Sequence, residues 1–92
     1  MKNPELIEIA YNRLIEKGLI GIYSVYDIGN SIVAFGGNPN EKIYGCRSVE
    51  VNKVSGEVKM FSSLLQENED LLDAASNNEI PDEYMYKKCY EN

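Results

Sequence analysis

The chain predicts an α+β domain: an N-terminal helix, an antiparallel meander of about four strands, a second helix, and a short C-terminal helix or tail. Three observations carry this. Leucine, isoleucine and alanine recur at helical spacing up to Gly18, and alternating β-rich runs broken by Gly and Asn follow from Leu19 to Phe61. A leucine stripe beside an acidic face then returns after Ser63.

The first helix starts where Asn3 offers a cap and Pro4 occupies the first turn, a place where the missing N–H would have been unpaired anyway. Leu6, Ile7, Ala10, Tyr11, Leu14 and Ile15 form one side, Glu5, Glu8, Asn12 and Glu16 the other, and Gly18 stops it. In "LIGIYSVYDIGNSIVAFGG", Ile20, Ile22, Ser24, Tyr26 and Ile28 alternate with Leu19, Gly21, Tyr23, Val25 and Asp27, so the strand has two partly apolar faces. Gly29-Asn30 turns it into a second strand, Ser31 to Phe35.

Residues 36–42, "GGNPNEK", read as a loop that lacks the ordered Gly, Lys and hydroxyl residues of a phosphate-binding loop. Ile43 to Asn52 and Val58 to Phe61 are the third and fourth strands. Asn52 can accept a bond from the backbone two residues on, and Gly56 can take the left-handed conformation that closes the hairpin. That turn has too few carboxylates for a calcium loop.

Ser62 or Ser63 caps the second helix, with Gln66 completing a capping box from Ser63. Leu64, Leu65, Leu71, Leu72 and Ala75 make its apolar stripe; Glu67, Asn68, Glu69, Asp70 and Asp73 make the opposite face acidic. "SNNE" ends it. Pro81 restarts the backbone, and "DEYMYKKCYEN" is a short helix capped near Asp82 or a loosely attached tail over 81–92 of a single 1–92 domain.

Fifteen acidic against nine basic side chains give a formal net charge of -6, which opposes a nucleic-acid backbone or an acidic membrane and favours a protein with a basic surface. Cys46 and Cys89 allow at most one disulfide and stand in no Cys-x-x-Cys motif. With no export signal and no long apolar run, a reduced cytoplasmic protein is the expectation. The chain has no histidine, so the commonest acid-base group and nitrogen metal ligand are missing. Neither thiol has a base visible beside it, and no pair of carboxylates is singled out. No catalytic, metal-binding or cofactor-binding residue is therefore nominated, no cofactor is expected, and the chain reads as a non-enzyme.

Seven tyrosines against two phenylalanines and no tryptophan are the one compositional excess. Tyrosine buries a rigid ring and keeps a hydrogen bond, as interfaces require. Glu67, Glu69, Asp70 and Asp73 with Tyr84 and Tyr86 are accordingly the candidate partner-binding residues.

Val49, Val51, Asn52, Gly56, Glu57 and Val58 occupy the places of a Val-x-Val-Asp, Gly-turn, Val hairpin, with Asn52 where Asp is usual. In this the chain resembles PepSY-like domains and the small bacterial YrhB-like immunity proteins, in outline over residues 4–75 and at motif level over 49–61. The resemblance implies a noncatalytic binder or an immunity-type inhibitor of a toxin. One alternative is a structural or regulatory homodimer that covers an exposed edge strand or the second apolar sheet face, with an apolar patch involving some of Tyr23, Val25 and the terminal tyrosines. Another is a small carboxylate- or thiol-dependent enzyme with an enclosed cleft.

Overall fold

The computed structural model describes residues 2–37, 47–61 and 66–85; for Asn3, Gln66, Glu67 and Glu69 the description is of the backbone. The chain order is α1 (Asn3–Glu16), β1 (Ile22–Asp27), β2 (Ser31–Gly36), β3 (Ser48–Asn52), β4 (Val58–Met60), α2 (Gln66–Asp73) and β5 (Ser76–Asn77). The five strands form one antiparallel sheet in the order β4-β3-β2-β1-β5. The α+β class is thus as the sequence predicts, with one strand more. The parts of the loop and third strand expected over 38–46, including Cys46, lie outside the described residues, as do Ser62, Ser63, Leu64, Leu65, Tyr86 and Cys89.

The α1 helix lies on one sheet face. Leu6, Ile7, Ala10 and Leu14 are buried against Ile22, Val25, Ile32, Ala34, Val49 and Val51, and each large side chain withdrawn from water contributes roughly 2 kcal/mol. The predicted polar side is exposed throughout, but Ile15, placed by periodicity on the buried side, is 41% exposed because it falls at the edge of the stripe. The cap also differs. Lys2 is the capping residue, without a side-chain bond, and its carbonyl accepts from Glu5 and Leu6 N–H at 3.0 and 3.2 Å, so Asn3 is already helical. At the other end Gly18 has φ +85°. It donates its N–H to Ile15 O (2.9 Å), and Leu19 N–H reaches back to Leu14 O (3.0 Å), a Schellman closure whose two leucines are both in the core.

The β1 strand does not alternate as the sequence suggests. Ile22 pairs with Gly36 but Ser24 pairs with Phe35, so one extra residue, Tyr23, is accommodated in a bulge. Beyond it the faces exchange. Ile22 and Val25 both turn to α1, while Tyr23 and Tyr26 both pack with Val33, Phe35 and Phe61 on the opposite face. Tyr23 and Val25, both candidates for an apolar homodimer patch, are therefore on different faces, and Val25 is buried beneath α1.

The two hairpin ends are tied together. Asn52 Oδ1 accepts from Val54 N–H (2.8 Å) and Ser55 N–H (3.0 Å), and Gly56, at φ +74°, donates to Asn52 O (2.9 Å). The turn thus reverses the strand with the chemistry the sequence predicts. Lys53 then places its Nζ 2.8 and 2.7 Å from the two Asp27 carboxylate oxygens and its N–H on Asn30 O (3.0 Å), joining the β3-β4 turn to the β1-β2 turn. The Lys53 ammonium, and then the Gly29 N–H donated to Asp27 Oδ1 at 2.8 Å, hold the Asp27 carboxyl below its ordinary range.

After α2 the chain returns to the sheet. Ser76 and Asn77, expected as a helix-ending loop, pair with Asp27 and Tyr26 as β5, and Asn78 N–H donates to Val25 O at 2.9 Å. Pro81 to Met85 make a turn rather than a helix: Tyr84 N–H donates to Pro81 O (2.9 Å), and Ile22 N–H to Tyr84 O (2.8 Å). As far as Met85, which bridges in parallel to Ile22, the expected tail is attached to the sheet.

Candidate functional site

The sheet face opposite α1 is covered differently. Its described helix, α2, has eight residues, and Leu72 packs from it against the Val33, Phe35 and Phe61 cluster. Leu71, the neighbouring member of the predicted stripe, is 43% exposed. Helical spacing explains this: adjacent residues on so short a helix cannot both reach one flat face.

Beside Leu72 lies a cleft of about 220 Å³ lined, among the described residues, by Tyr23, Ser24, Tyr26, Phe35, Leu72 and Asp73. The bulge builds its floor. In a regular strand Tyr23 and Tyr26, three apart, would face opposite ways; here both rings flank Phe35 on the adjacent strand. Tyr23 lies 6.0 Å from Phe35 between centroids with the planes tilted by 49°, and Tyr26 lies 5.8 Å away, edge to face at 88°. Tyr23 and Tyr26 are half-buried, so the cleft presents partly covered aromatic surface. Asp73, the last residue of α2, is exposed and is the only charged side chain of the lining among the described residues; Asp70 is exposed one turn earlier on the same helix.

A cation already lies at the margin of these rings: the Arg47 guanidinium carbon is 5.8 Å from the Tyr23 centroid. Chemically the cleft offers π surface, one carboxylate and the Ser24 hydroxyl. No group of three or more metal-ligating side chains occurs among the described residues. Among them, too, no helix is long and apolar enough to cross a membrane.

Of the six residues nominated from sequence, Tyr86 lies outside the described residues, and Tyr84 does not join Asp70 and Asp73. Asp70 and Asp73 lie on α2 by the aromatic cleft, and Glu67 and Glu69 are on the same helix backbone. Tyr84 is on the other side of the sheet. Its ring stacks at 5.0 Å on Tyr11 of α1, and its hydroxyl lies 3.5 Å from Glu8 Oε2. Burial of the ring, followed by the charges of Glu8 and Glu83, raises the Tyr84 phenol above its ordinary value. That tyrosine fastens the C-terminal turn to α1. The aromatic partners of the acidic helix are instead Tyr23, Tyr26 and Phe35. Their signal in the sequence is the period-three repeat of "IYSVY", apolar then aromatic twice over, which a bulge turns into two single-character faces.

Comparison with protein-family models, curated proteins and solved structures finds no match to this chain.

Proposed function

We propose that this protein is a noncatalytic protein-binding domain that recognises a basic partner through the exposed face of α2 and the aromatic cleft beside it. The observation that carries this reading is the meeting of Asp73 with Tyr23, Tyr26 and Phe35 in one open cleft. Acidic groups steer a basic protein into encounter, and half-buried rings supply contact area that loses water on docking. The formal charge of -6 acts in the same direction at longer range. Immunity-type inhibition, implied by the likeness of the 49–61 hairpin to YrhB-like proteins, is the activity such binding would serve.

The test is titration of ¹⁵N-labelled protein with an arginine- and lysine-rich peptide at two salt concentrations. Saturable shifts at Ser24, Tyr26, Asp70 and Asp73, weakened by salt and by the D70N/D73N pair, support the reading. Shifts confined to other surfaces would refute it.

A homodimer is the second reading, favoured by the β4 edge. Phe61 N–H bonds to Ser48 O and Asn52 N–H to Glu57 O, so alternation turns the backbone groups of Val58 and Met60 away from β3. Met60 is 68% exposed there, and no strand among the described residues pairs with that side. A concentration-independent dimer mass that M60K reduces to the monomer would favour this reading over the first.

A further inference from the structure

We propose that the cleft takes a single arginine side chain of the partner protein, its guanidinium against the Tyr23, Phe35 and Tyr26 rings and its N–H groups on the Asp73 carboxylate. This rests on the basic-partner reading and deepens it by naming the recognised group. Four observations point to it.

Among the described residues the lining combines three aromatic rings with the carboxylate of Asp73, which is the complement of a delocalised positive group. The ring pairs are tilted and edge to face, at 49° and 88°, so neither tyrosine is stacked face to face on Phe35. Arg47 lies 5.8 Å from the Tyr23 ring, so one guanidinium is already held against this aromatic group within the fold. Finally, a volume of about 220 Å³ gives room for one extended side chain.

Arginine fits better than lysine. Guanidinium is planar, less strongly hydrated, and able to stack on rings while its fork of donors engages a carboxylate; a lysine ammonium is a compact charge that holds its water more tightly. A neutral isostere would keep the shape and lose both electrostatic contributions.

The experiment uses the whole protein and three peptides of Gly-Ser sequence, acetylated and amidated, bearing one central arginine, lysine or citrulline. Binding is followed by ¹⁵N amide shifts and by ¹³C shifts of the tyrosine rings. The arginine peptide is expected to shift Ser24, Asp73 and the Tyr23 and Tyr26 rings saturably, about fivefold more tightly than lysine, with no saturable response to citrulline. D73N, at an exposed position, should weaken arginine binding about tenfold at low salt without changing the melting temperature. Y26L should weaken it as well, whereas Y26F, which keeps the ring, should not.

Equal binding of citrulline and arginine would overturn the proposal. If arginine and lysine peptides both respond to D70N/D73N but leave the tyrosine rings unmoved, the arginine site is refuted while the basic-partner reading stands. If no cationic peptide binds, both are refuted.

Discussion

Replacing Asp27 by asparagine or alanine separates the two interactions that join the hairpin ends. Asp27 receives Lys53 Nζ at 2.7 and 2.8 Å and Gly29 N–H at 2.8 Å. The ion pair is partly solvated, its side chains 29% and 30% exposed, so its worth is set near the upper end for surface pairs, about 1 kcal/mol. The Gly29 bond contributes about 1 kcal/mol more. Asparagine retains an acceptor for Gly29 and loses only the pair, so D27N should cost about 1 kcal/mol and D27A about 2 kcal/mol. In a domain of this size each kcal/mol lowers the melting temperature by about 4–8 °C. Thermal and urea unfolding measure both variants, and a double-mutant cycle with K53M should return a coupling near 1 kcal/mol.

The pH dependence has a definite sign. The folded Asp27 carboxyl lies below its ordinary value, about 3.9 in the unfolded chain, so the unfolded state binds the proton first as pH falls. Its contribution is present above roughly pH 5 and is lost as pH drops through the folded value, closing the gap between wild type and D27N. A gap unchanged down to about pH 2, or a coupling below about 0.3 kcal/mol, would refute the assignment and leave the hairpins joined by the Lys53 N–H to Asn30 O bond alone.

Three further outcomes are expected. A Cβ at Gly36 would lie 3.0 Å from Leu14 Cδ1 and 3.2 Å from the backbone oxygen of Gly21, so G36A should push α1 off β2 and cost about 1–3 kcal/mol in urea unfolding. Leu14 is fully buried at that contact, and L14A should cost about 2–5 kcal/mol by the same assay. At Gly18 the added methyl meets nothing within 4 Å, yet φ is +85°, so G18A should still cost about 1–2 kcal/mol by thermal melting, entirely through the backbone.

Local chemistry was legible in the sequence, and non-local pairing was not. The buried positions Leu6, Ile7, Ala10 and Leu14 follow from periodicity, and the Asn52–Gly56 turn follows from an amide side chain and a glycine acting within a few residues. Strand β5 escapes because Ser76 and Asn77 carry no apolar alternation; only the backbone of β1, some fifty positions earlier, makes them a strand. The cleft was half legible. Asp70 and Asp73 are evident as an acidic face, but their aromatic neighbours depend on the bulge at Tyr23, without which Tyr26 and Tyr23 would part company. The packing of Tyr84 was not legible either: composition marks a tyrosine as amphipathic, while only the register of the C-terminal turn against Ile22 shows that it packs on Tyr11.

Recognition of a basic protein is tested most directly by capture on immobilised protein from an extract of the source cell, with native mass measurement of what is retained. Wild type should hold one basic protein as a mixed complex that moderate salt releases, and D70N/D73N, folded to the same melting temperature, should lose it. A stable homodimer with no second protein, or a partner held equally by D70N/D73N, would contradict the account.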